Sequence, residues 1–527
     1  MFDYSKIINL ISRNKLLISA ITVCILVLGI VKLPFLSQQF GHDQAIYIYS
    51  GREISVGAVP YRDIWDHKTP GLPYLNAIIF SLGGNSLETF RLIEFIWTLL
   101  VLVLFSYLLK KILPKNTPAV IFGTLFFAYL LVDPVFSTND GGGYAETFML
   151  LPYVLTIILF VLFKIKEKLV FLFLAGITIF LSFFLKQSGA ALFLPVAGTL
   201  FYDEFISKKS IRAKISSFIT KFTLVFAGFI LPLLIFVIYL FSKNAFSDFL
   251  SATVIFNALY AKTTSTGVKI ITSMEMAYGF IQGYPITFLF VFLGFIQIFL
   301  KKAKYALLIT LWVIADLIAI SSSGKFFYHY YIQIFPSLAI VATYGFISLF
   351  TSLNTVIKNK YSSSLLVLMS PFFFILIFLP YILTPLKTVE GKLQNLRSTV
   401  KNNTWRNPPE IVNYVKKYAK PGDYVYVWNS SQTYIYLLTG TKSPTNFYMG
   451  IPLANKKEHA PGYATAVTYA KVKSDFENHP PKIILVNDFV IGSINVTGPL
   501  WDYIKNNYKL NRSFDDTNGH TVVYLAK

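Results

Sequence analysis

Residues 41–90 read GHDQAIYIYSGREISVGAVPYRDIWDHKTPGLPYLNAIIFSLGGNSLETF. Charged residues, glycines and prolines are frequent in this stretch, although it lies between two apolar stretches at 16–36 and 91–109. An apolar run of about 20 residues is long enough to cross the hydrocarbon core of a bilayer as a helix. The stretch is therefore predicted to be a long loop at a membrane surface that joins two transmembrane helices.

The apolar pattern recurs along the chain and predicts about eleven transmembrane helices. The composition agrees, because only 14% of the 527 residues are charged, whereas a soluble domain has about 25%. The predicted spans are residues 16–36, 91–109, 118–134, 146–163, 169–185, 188–202, 222–242, 285–300, 305–321, 331–352 and 363–384. Several are nearer about 16 residues than 20, so an even count near ten stays open.

Basic residues are concentrated between alternate spans. If the N-terminus is inside, the short inner segments hold nearly twice as many Lys and Arg residues as the longer outer ones. The positive-inside rule then predicts a multi-pass protein of the cell membrane with a cytoplasmic N-terminus. An odd number of spans places the residues after Pro385 outside the cytoplasm. The net charge of +21 follows from these small clusters, so it does not indicate nucleic-acid binding.

The composition becomes that of a soluble protein near Thr388. Helix-like stretches at 408–420, 465–477 and 500–507 alternate with strand-like stretches at 423–428, 482–486 and 520–525. This alternation predicts a small extracytoplasmic α/β domain over residues 388–527, after a transmembrane domain over residues 1–387. The stretch has no dinucleotide-binding or Walker A motif and no Cys/His cluster. We therefore expect acceptor binding or structural support from it rather than catalysis on its own.

Ionisable residues near membrane depth mark a candidate functional site. Asp43 follows the first span, and the residues after it, QAIYIYSGREI, have the pattern of an interfacial amphipathic helix. That helix would hold the Asp43 carboxylate at the bilayer boundary. Glu146 begins the fourth span, and Asp140 lies in the Gly-rich turn before it. Capping of a helix N-terminus is the alternative explanation for Asp140 and Glu146.

The order of these features resembles the GT-C glycosyltransferases, above all the protein O-mannosyltransferases and the lipid A aminoarabinose transferases. These families have an acidic residue after the first span, then a phrase like PYRDIWDHKTPG, then a span that begins like Arg91-Leu92. The phrases AETFMLLP, FFLKQSGAALFLP and FYHYYIQIFPSLAI keep the family order over roughly residues 1–350. Asp43 stands alone where the family often has an acidic pair, and His67 replaces a Glu of the aminoarabinose transferases.

The resemblance implies a membrane glycosyltransferase. Such an enzyme moves a sugar from a polyprenyl-phosphate-linked donor to an extracytoplasmic hydroxyl on a glycan, a lipid or a protein. The reaction needs a base that deprotonates the acceptor hydroxyl and cations that stabilise the departing phosphate. The resemblance implies Asp43 as the catalytic base, with Glu146 as its rival.

The remaining polar landmarks are candidates for binding roles. Lys68, Arg91 and Lys186 would bind the donor phosphate. Their structural alternatives are a snorkelling lysine, a helix-end anchor and an ordinary loop charge, respectively. No cofactor is certain, and a divalent metal ion is the one candidate. Candidates for contacts with the substrate or with that metal are Asp66, His67, Asp140 and His329.

Two other classes of function stay open. A flippase or transporter of lipid-linked glycans would be expected to have matched repeats and charges deep within several spans. Asp316 is almost alone in such a position, and a hydrogen bond between packed helices explains it as well. A non-catalytic envelope assembly protein would act through its C-terminal domain and would tolerate substitution of Asp43 and Lys68.

Overall fold

The computed structural model describes most of the chain. The described residues are 15–32, 41–84, 86–137, 142–356, 410–428, 430–453, 460–487, 498–516 and 519–527. The predicted span at 363–384, the predicted domain boundary after residue 387 and Asp140 lie outside these residues.

Helices make up the described chain up to residue 356. They are α1 (Lys15–Lys32), α2 (His42–Ser55), α3 (Gly71–Ser81), α4 (Leu87–Ile112), α5 (Thr117–Val132), α6 (Pro134–Ser137), α7 (Ala145–Lys166), α8 (Val170–Leu185), α9 (Phe193–Ile206), α10 (Ile211–Ser242), α11 (Phe246–Leu250), α12 (Asn257–Lys262), α13 (Thr266–Gly283), α14 (Pro285–Leu300), α15 (Ala306–Ser322) and α16 (Phe335–Val356). A π-helical turn, Ser251–Phe256, joins α11 to α12. The 3₁₀ segments Gln187–Leu192 and Tyr328–Ile334 lead into α9 and α16.

Many of these helices are suited to a bilayer. Among the described residues, six are long and apolar enough to cross it: α1, α4, α7, α10, and α9 and α16 with their 3₁₀ segments. The pair α13 and α14, bent by 109°, would be a seventh if it forms one span. The helices α3, α5, α8 and α15 are apolar but shorter. The chain is therefore a multi-pass helical membrane protein, and the count of about eleven spans stays a prediction.

Two of the loops between spans contain helices. The helix predicted after Asp43 is present as α2, which begins at His42. Its residues from Gln44 to Gly51 are buried on all faces rather than on one, because the C-terminal part of the chain covers the side that the amphipathic pattern left to the membrane surface. The segment at 243–285, which joins the predicted spans 222–242 and 285–300, is largely helical. Its aromatic residues explain this, because Phe249 packs edge-on against Tyr61 at 5.2 Å and Phe256 against Trp65 at 4.9 Å. The segment therefore lies on the first loop.

Helices α14 and α16 approach each other closely through glycines. A Cβ atom on Gly294 would lie 1.9 Å from the carbonyl oxygen of Val341, and one on Gly345 would lie 2.0 Å from that of Phe290. Small residues are the usual means by which transmembrane helices come this close. The contact fixes the position of α16, and with it the 3₁₀ segment that precedes α16.

The described residues from 410 onward form a small α/β unit, the C-terminal unit. Its elements are α17 (Glu410–Tyr418), β1 (Val425–Trp428), α18 (Tyr434–Thr439), α19 (Ala466–Asn478), β2 (Ile483–Asn487), α20 (Pro499–Asn507), β3 (Tyr508–Asp516) and β4 (Gly519–Ala526). The sheet order is β1-β2-β4-β3, with β1 and β2 parallel and the other neighbours antiparallel. The predicted strands and helices are present. Strand β3 was not predicted, because it is an edge strand with mostly polar residues and a bulge near Leu510.

The close approach of α14 and α16 gives the first prediction. Gly294→Ala should lower the midpoint of thermal unfolding, since the new methyl group would collide with the α16 backbone, and such overpacking costs about 1–3 kcal/mol. Gly279→Ala in α13 is the matched control, because a Cβ atom there has nothing within 4 Å. Intrinsic fluorescence of the purified protein during heating measures both midpoints. Equal midpoints for the two variants would contradict the packing.

Candidate functional site

Two adjoining cavities lie where the first loop meets the helical bundle, and residues of the C-terminal unit line one of them. They have volumes of about 380 and 390 Å³. We name them the Asp43 cavity and the Lys186 cavity. The Asp43 cavity is lined by residues that include His42, Asp43, Asp66, Tyr144, Phe256, Phe327, His329, Met449 and Ile451. The Lys186 cavity is lined by residues that include Lys186, Gln187, Ser188, Asn257, Ser322 and Gln333. Both share His67, Lys68, Tyr260 and Tyr330.

The backbone of the first loop is held on both sides of Lys68. The carbonyl oxygen of His67 accepts hydrogen bonds from Gln187 Nε2 at 2.9 Å and from Asn257 Nδ2 at 2.7 Å. Thr69 Oγ1 donates to the carbonyl oxygen of Phe183 at 2.9 Å. Two separate segments, residues 183–187 and Asn257, thus fix the loop. Lys68 lies at the junction of the two cavities and lines both.

Lys68 and Asp43 form an ion pair at this junction. Lys68 Nζ donates to Asp43 Oδ2 at 3.0 Å and to the hydroxyl of Tyr47, one helical turn further along α2, at 2.7 Å. Burial alone would raise the pKa of the Asp43 carboxyl. The charges of Lys68, His329 and His42 and the hydrogen bond from Lys68 outweigh burial and hold that pKa well below its usual value. Asp43 is therefore ionised at neutral pH.

A second ion pair lies beside the first. Glu146, in the first turn of α7 and almost fully buried, accepts a hydrogen bond from Lys186 Nζ. Lys186 Nζ also lies 3.7 Å from the centre of the Tyr330 ring. His329 links the two pairs, because its Nε2 lies 3.9 Å from Asp43 Oδ2 and 3.9 Å from Glu146 Oε1. Its ring stacks flat on Tyr144 at 4.3 Å.

The fold has solved counterparts. No protein-family model matches the chain, and no curated protein matches it in sequence. The structure of ArnT from Cupriavidus metallidurans bound to undecaprenyl phosphate aligns over 97% of this chain and 98% of its own, with a TM-score of 0.55 and 10% identity. The apo structure of the same protein gives the same values. ArnT, a lipid A aminoarabinose transferase, is a GT-C protein. This chain has the GT-C fold.

A second solved protein aligns less closely. This protein is the archaeal oligosaccharyltransferase AglB from Archaeoglobus fulgidus, in complex with an inhibitory peptide and a dolichol-phosphate. The alignment covers 98% of this chain and 75% of AglB. Its TM-score is 0.48 and its identity is 13%. The ArnT alignment confirms the predicted GT-C fold by itself.

Asp66 and His67 of the GT-C first loop line the Asp43 cavity but do not join either ion pair. Burial raises the pKa of the Asp66 carboxyl, and its Oδ1 accepts a hydrogen bond from the backbone N–H of Lys68 at 3.0 Å. His67 Nδ1 lies 3.5 Å from the same carboxylate. The His67 ring packs against Phe256 at 5.1 Å. Asp66 thus orients the backbone at Lys68, while the His67 ring forms part of the lining of both cavities.

The structure places Arg91 elsewhere. Arg91 is buried in α4, outside the lining of both cavities. Its Nη1 lies 3.5 Å from Glu94 Oε2, one turn along the same helix, and Lys32 Nζ lies 3.8 Å from Glu94 Oε1. Arg91 thus pairs with Glu94 inside the bundle, next to Lys32 of α1. This placement does not support the expectation that Arg91 binds the donor phosphate.

The structure gives no support for a metal site in the described part of the chain, where a divalent ion was the one candidate cofactor. No group of three or more His, Cys, Asp or Glu side chains in those residues could hold a metal ion. Asp43 and Glu146 both approach His329, but each carboxylate already has a lysine partner. Asp140, the other acidic candidate in this region, lies outside the described residues.

Sequence reasoning missed two groups of residues at the site. Tyr47 carries a signal that could have been used, because it lies four residues after Asp43 on a predicted helix and so shares its face. Met449 and Ile451 carry no such signal, since they are apolar residues of the C-terminal unit.

The ion pair at the cavity junction gives the second prediction. Lys68→Met should raise the pKa of Asp43, because burial then acts without the cation that opposes it. The infrared signal of the Asp43 carboxyl is isolated by subtracting the spectrum of the matching Asp43→Asn variant, in the wild-type background and in the Lys68→Met background. In the Lys68→Met background this carboxyl should titrate at higher pH than in the wild-type background. Lys68→Arg keeps the charge and is the control. Identical titrations would contradict the pairing.

Proposed function

We propose that the chain is a membrane glycosyltransferase that moves a sugar from a polyprenyl-phosphate donor to a hydroxyl group of an extracytoplasmic acceptor. The observation that carries the proposal is the contact of a carboxylate and an ammonium group, Asp43 and Lys68, at the junction of two cavities. A transfer reaction needs such a junction, because donor and acceptor must meet there. The undecaprenyl phosphate bound to ArnT supports a lipid phosphate as the donor class.

The Lys186 cavity suits the phosphate end of such a donor. It combines the ammonium groups of Lys68 and Lys186 with the hydrogen-bonding side chains of Ser188 and Asn257. Ile320 also lines an apolar cavity of about 280 Å³ between α13, α14, α15 and α16. A charged cavity beside an apolar one matches a phosphate attached to a prenyl chain. The lysines would stabilise the negative charge that develops on the leaving phosphate.

The Asp43 cavity suits the acceptor. The acceptor oxygen attacks the anomeric carbon, the bond from that carbon to the phosphate oxygen breaks, and polyprenyl phosphate leaves with the bonding electrons. Asp43 takes the proton from the attacking hydroxyl. A donor phosphate that draws Lys68 away would remove the charge that lowers the pKa of Asp43 and would make the carboxylate a stronger base. Donor binding would thus activate the base.

Glu146 is best explained as a positioning residue. It holds Lys186 at the phosphate side and has little exposed surface from which to reach an acceptor. His329, between the two carboxylates, would keep them at a fixed separation while Lys68 changes partner.

We place the site outside the cytoplasm. The short basic inner segments support this orientation, and they are too small to hold a nucleotide-binding domain. In this view residues 1–387 form the transferase domain, and residues 388–527 form an extracytoplasmic domain that closes the site.

The donor class gives the third prediction. Purified protein, with a membrane extract as the source of acceptor, should release free polyprenyl phosphate from a lipid-phosphate sugar, and mass spectrometry detects this product. We expect the same release with EDTA present, because Lys68 and Lys186 supply positive charge at the site. Lys68→Ala should weaken donor use, whereas Lys473→Ala on α19 is the control. Transfer from a nucleotide sugar without lipid, or no release from a panel of lipid donors, would overturn the proposal.

The catalytic base gives the fourth prediction. Asp43→Asn should lower the single-turnover rate by about 10²–10⁴-fold, since the size of the side chain is kept and its basicity is lost. Glu146→Gln should cost less, and Asp502→Asn on the remote helix α20 should cost nothing. Rates are compared at equal expression and equal thermal midpoints. A near-wild-type rate in Asp43→Asn together with a collapse in Glu146→Gln would assign the base to Glu146.

A further inference from the structure

The C-terminal unit is attached to the first loop through a set of contacts that we name the docking seam. The Arg52 guanidinium in α2 donates to the carbonyl oxygens of Tyr436 at 2.8 Å and of Thr441 at 2.6 Å. The hydroxyls of Ser50 and Tyr448 form a buried hydrogen bond of 2.9 Å.

Two more contacts extend the docking seam along the first loop. The Tyr49 ring stacks on Tyr436 at 4.6 Å. Further along, the backbone N–H of Trp65 donates to the carbonyl oxygen of Asn446 at 3.0 Å. Buried, well-paired contacts of this kind fix the relative position of two elements. The C-terminal unit therefore has a defined position over the site.

The segment that leaves the docking seam enters the Asp43 cavity. Met449 and Ile451, just after Tyr448, line this cavity together with Asp43, Lys68 and residues of the bundle. Met449 is buried and Ile451 is half-buried. These apolar side chains face a space whose other walls come from α2, from residues 66–68, from Tyr144 and from the segments at 256–260 and 326–330. The C-terminal unit thus contributes directly to the wall of the proposed acceptor cavity.

The lining of the Asp43 cavity combines aromatic side chains with charged and polar ones. The aromatic residues Tyr144, Phe256, Tyr260 and Phe327 form much of its wall. The charged groups of Asp43 and Lys68 lie together, 3.0 Å apart, and Lys68 also lines the Lys186 cavity. Asp66 and three histidines, His42, His67 and His329, supply further polar groups to the wall. Sugar rings combine these properties, because their faces carry C–H groups that pack on aromatic and apolar side chains and their edges carry hydroxyls.

We infer that Met449 and Ile451 form the acceptor-selecting wall of the Asp43 cavity and that the acceptor is a saccharide. A ring would lie between this wall and the aromatic residues, with a hydroxyl directed at Asp43. The inference rests on the proposed function and names the acceptor class. An extended peptide fits this space less well, because six separate segments of the chain line it.

The test compares transfer with hydrolysis of the same donor in a detergent that has no sugar headgroup. The acceptor probes are n-octyl glycosides of several hexoses, a Ser/Thr-containing peptide and n-octanol. We expect transfer to at least one octyl glycoside and little to the other two probes. Ile451→Trp, which fills the cavity, should raise the acceptor KM and lower the ratio of transfer to hydrolysis about tenfold, within the range for pocket substitutions. Ile451→Leu should restore most of the ratio.

Two controls distinguish an effect on acceptor selection from a loss of folding. Val467→Ala, on an exposed position of α19, should behave as wild type, and thermal midpoints report on folding. Hydrolysis without transfer to any glycoside, equal transfer to the peptide or octanol, or an unchanged ratio in Ile451→Trp would overturn the inference. An effect confined to the donor KM would overturn it too, since the wall would then contact the donor. Failure to release polyprenyl phosphate even to water would instead overturn the proposed function.

Discussion

The ion pair of Asp43 and Lys68 is the interaction around which the rest of the site is arranged. Both groups are largely withdrawn from water, with about a fifth of each side chain exposed. Breaking such a pair by removing one partner leaves a charge in a costly environment. The surrounding structure keeps the partners together. Tyr47 gives Lys68 a second acceptor, the Gln187 side chain donates to the loop backbone at His67, and the Thr69 side chain donates to the backbone of α8.

This arrangement suits chemistry at a membrane surface. A lipid-linked donor brings an anionic phosphate from the bilayer, while its acceptor comes from the aqueous side, so the two substrates need separate entrances that meet at one point. Lys68 lies at that point and is shared by both cavities. If Lys68 moved from Asp43 to the donor phosphate, donor binding would be coupled to activation of the base.

Much of this architecture follows from local sequence, and the remainder depends on long-range packing. The apolar period predicted spans such as 146–163 and 285–300, which match α7 and α14. Membrane depth marked Asp43 and Glu146 as candidates, because charge is costly there, and the family resemblance added Lys68, Lys186 and His329. The structure brings these five side chains together. Arg91 lies outside both cavities beside Glu94, three residues later in α4, so its role as a phosphate ligand stays a prediction. The cavity wall at Met449 and Ile451 could not be predicted, since nothing local links apolar residues of the C-terminal unit to α2.

The most direct test is an experimental structure of the protein with polyprenyl phosphate bound. The phosphate should lie within hydrogen-bonding distance of Lys68 Nζ, on the side of Lys186, and the Lys68–Asp43 contact of 3.0 Å should have opened. The prenyl chain should run toward the apolar cavity lined by Ile320. A phosphate bound away from Lys68, with the Lys68–Asp43 pair intact, would contradict the proposal that Lys68 binds the donor phosphate.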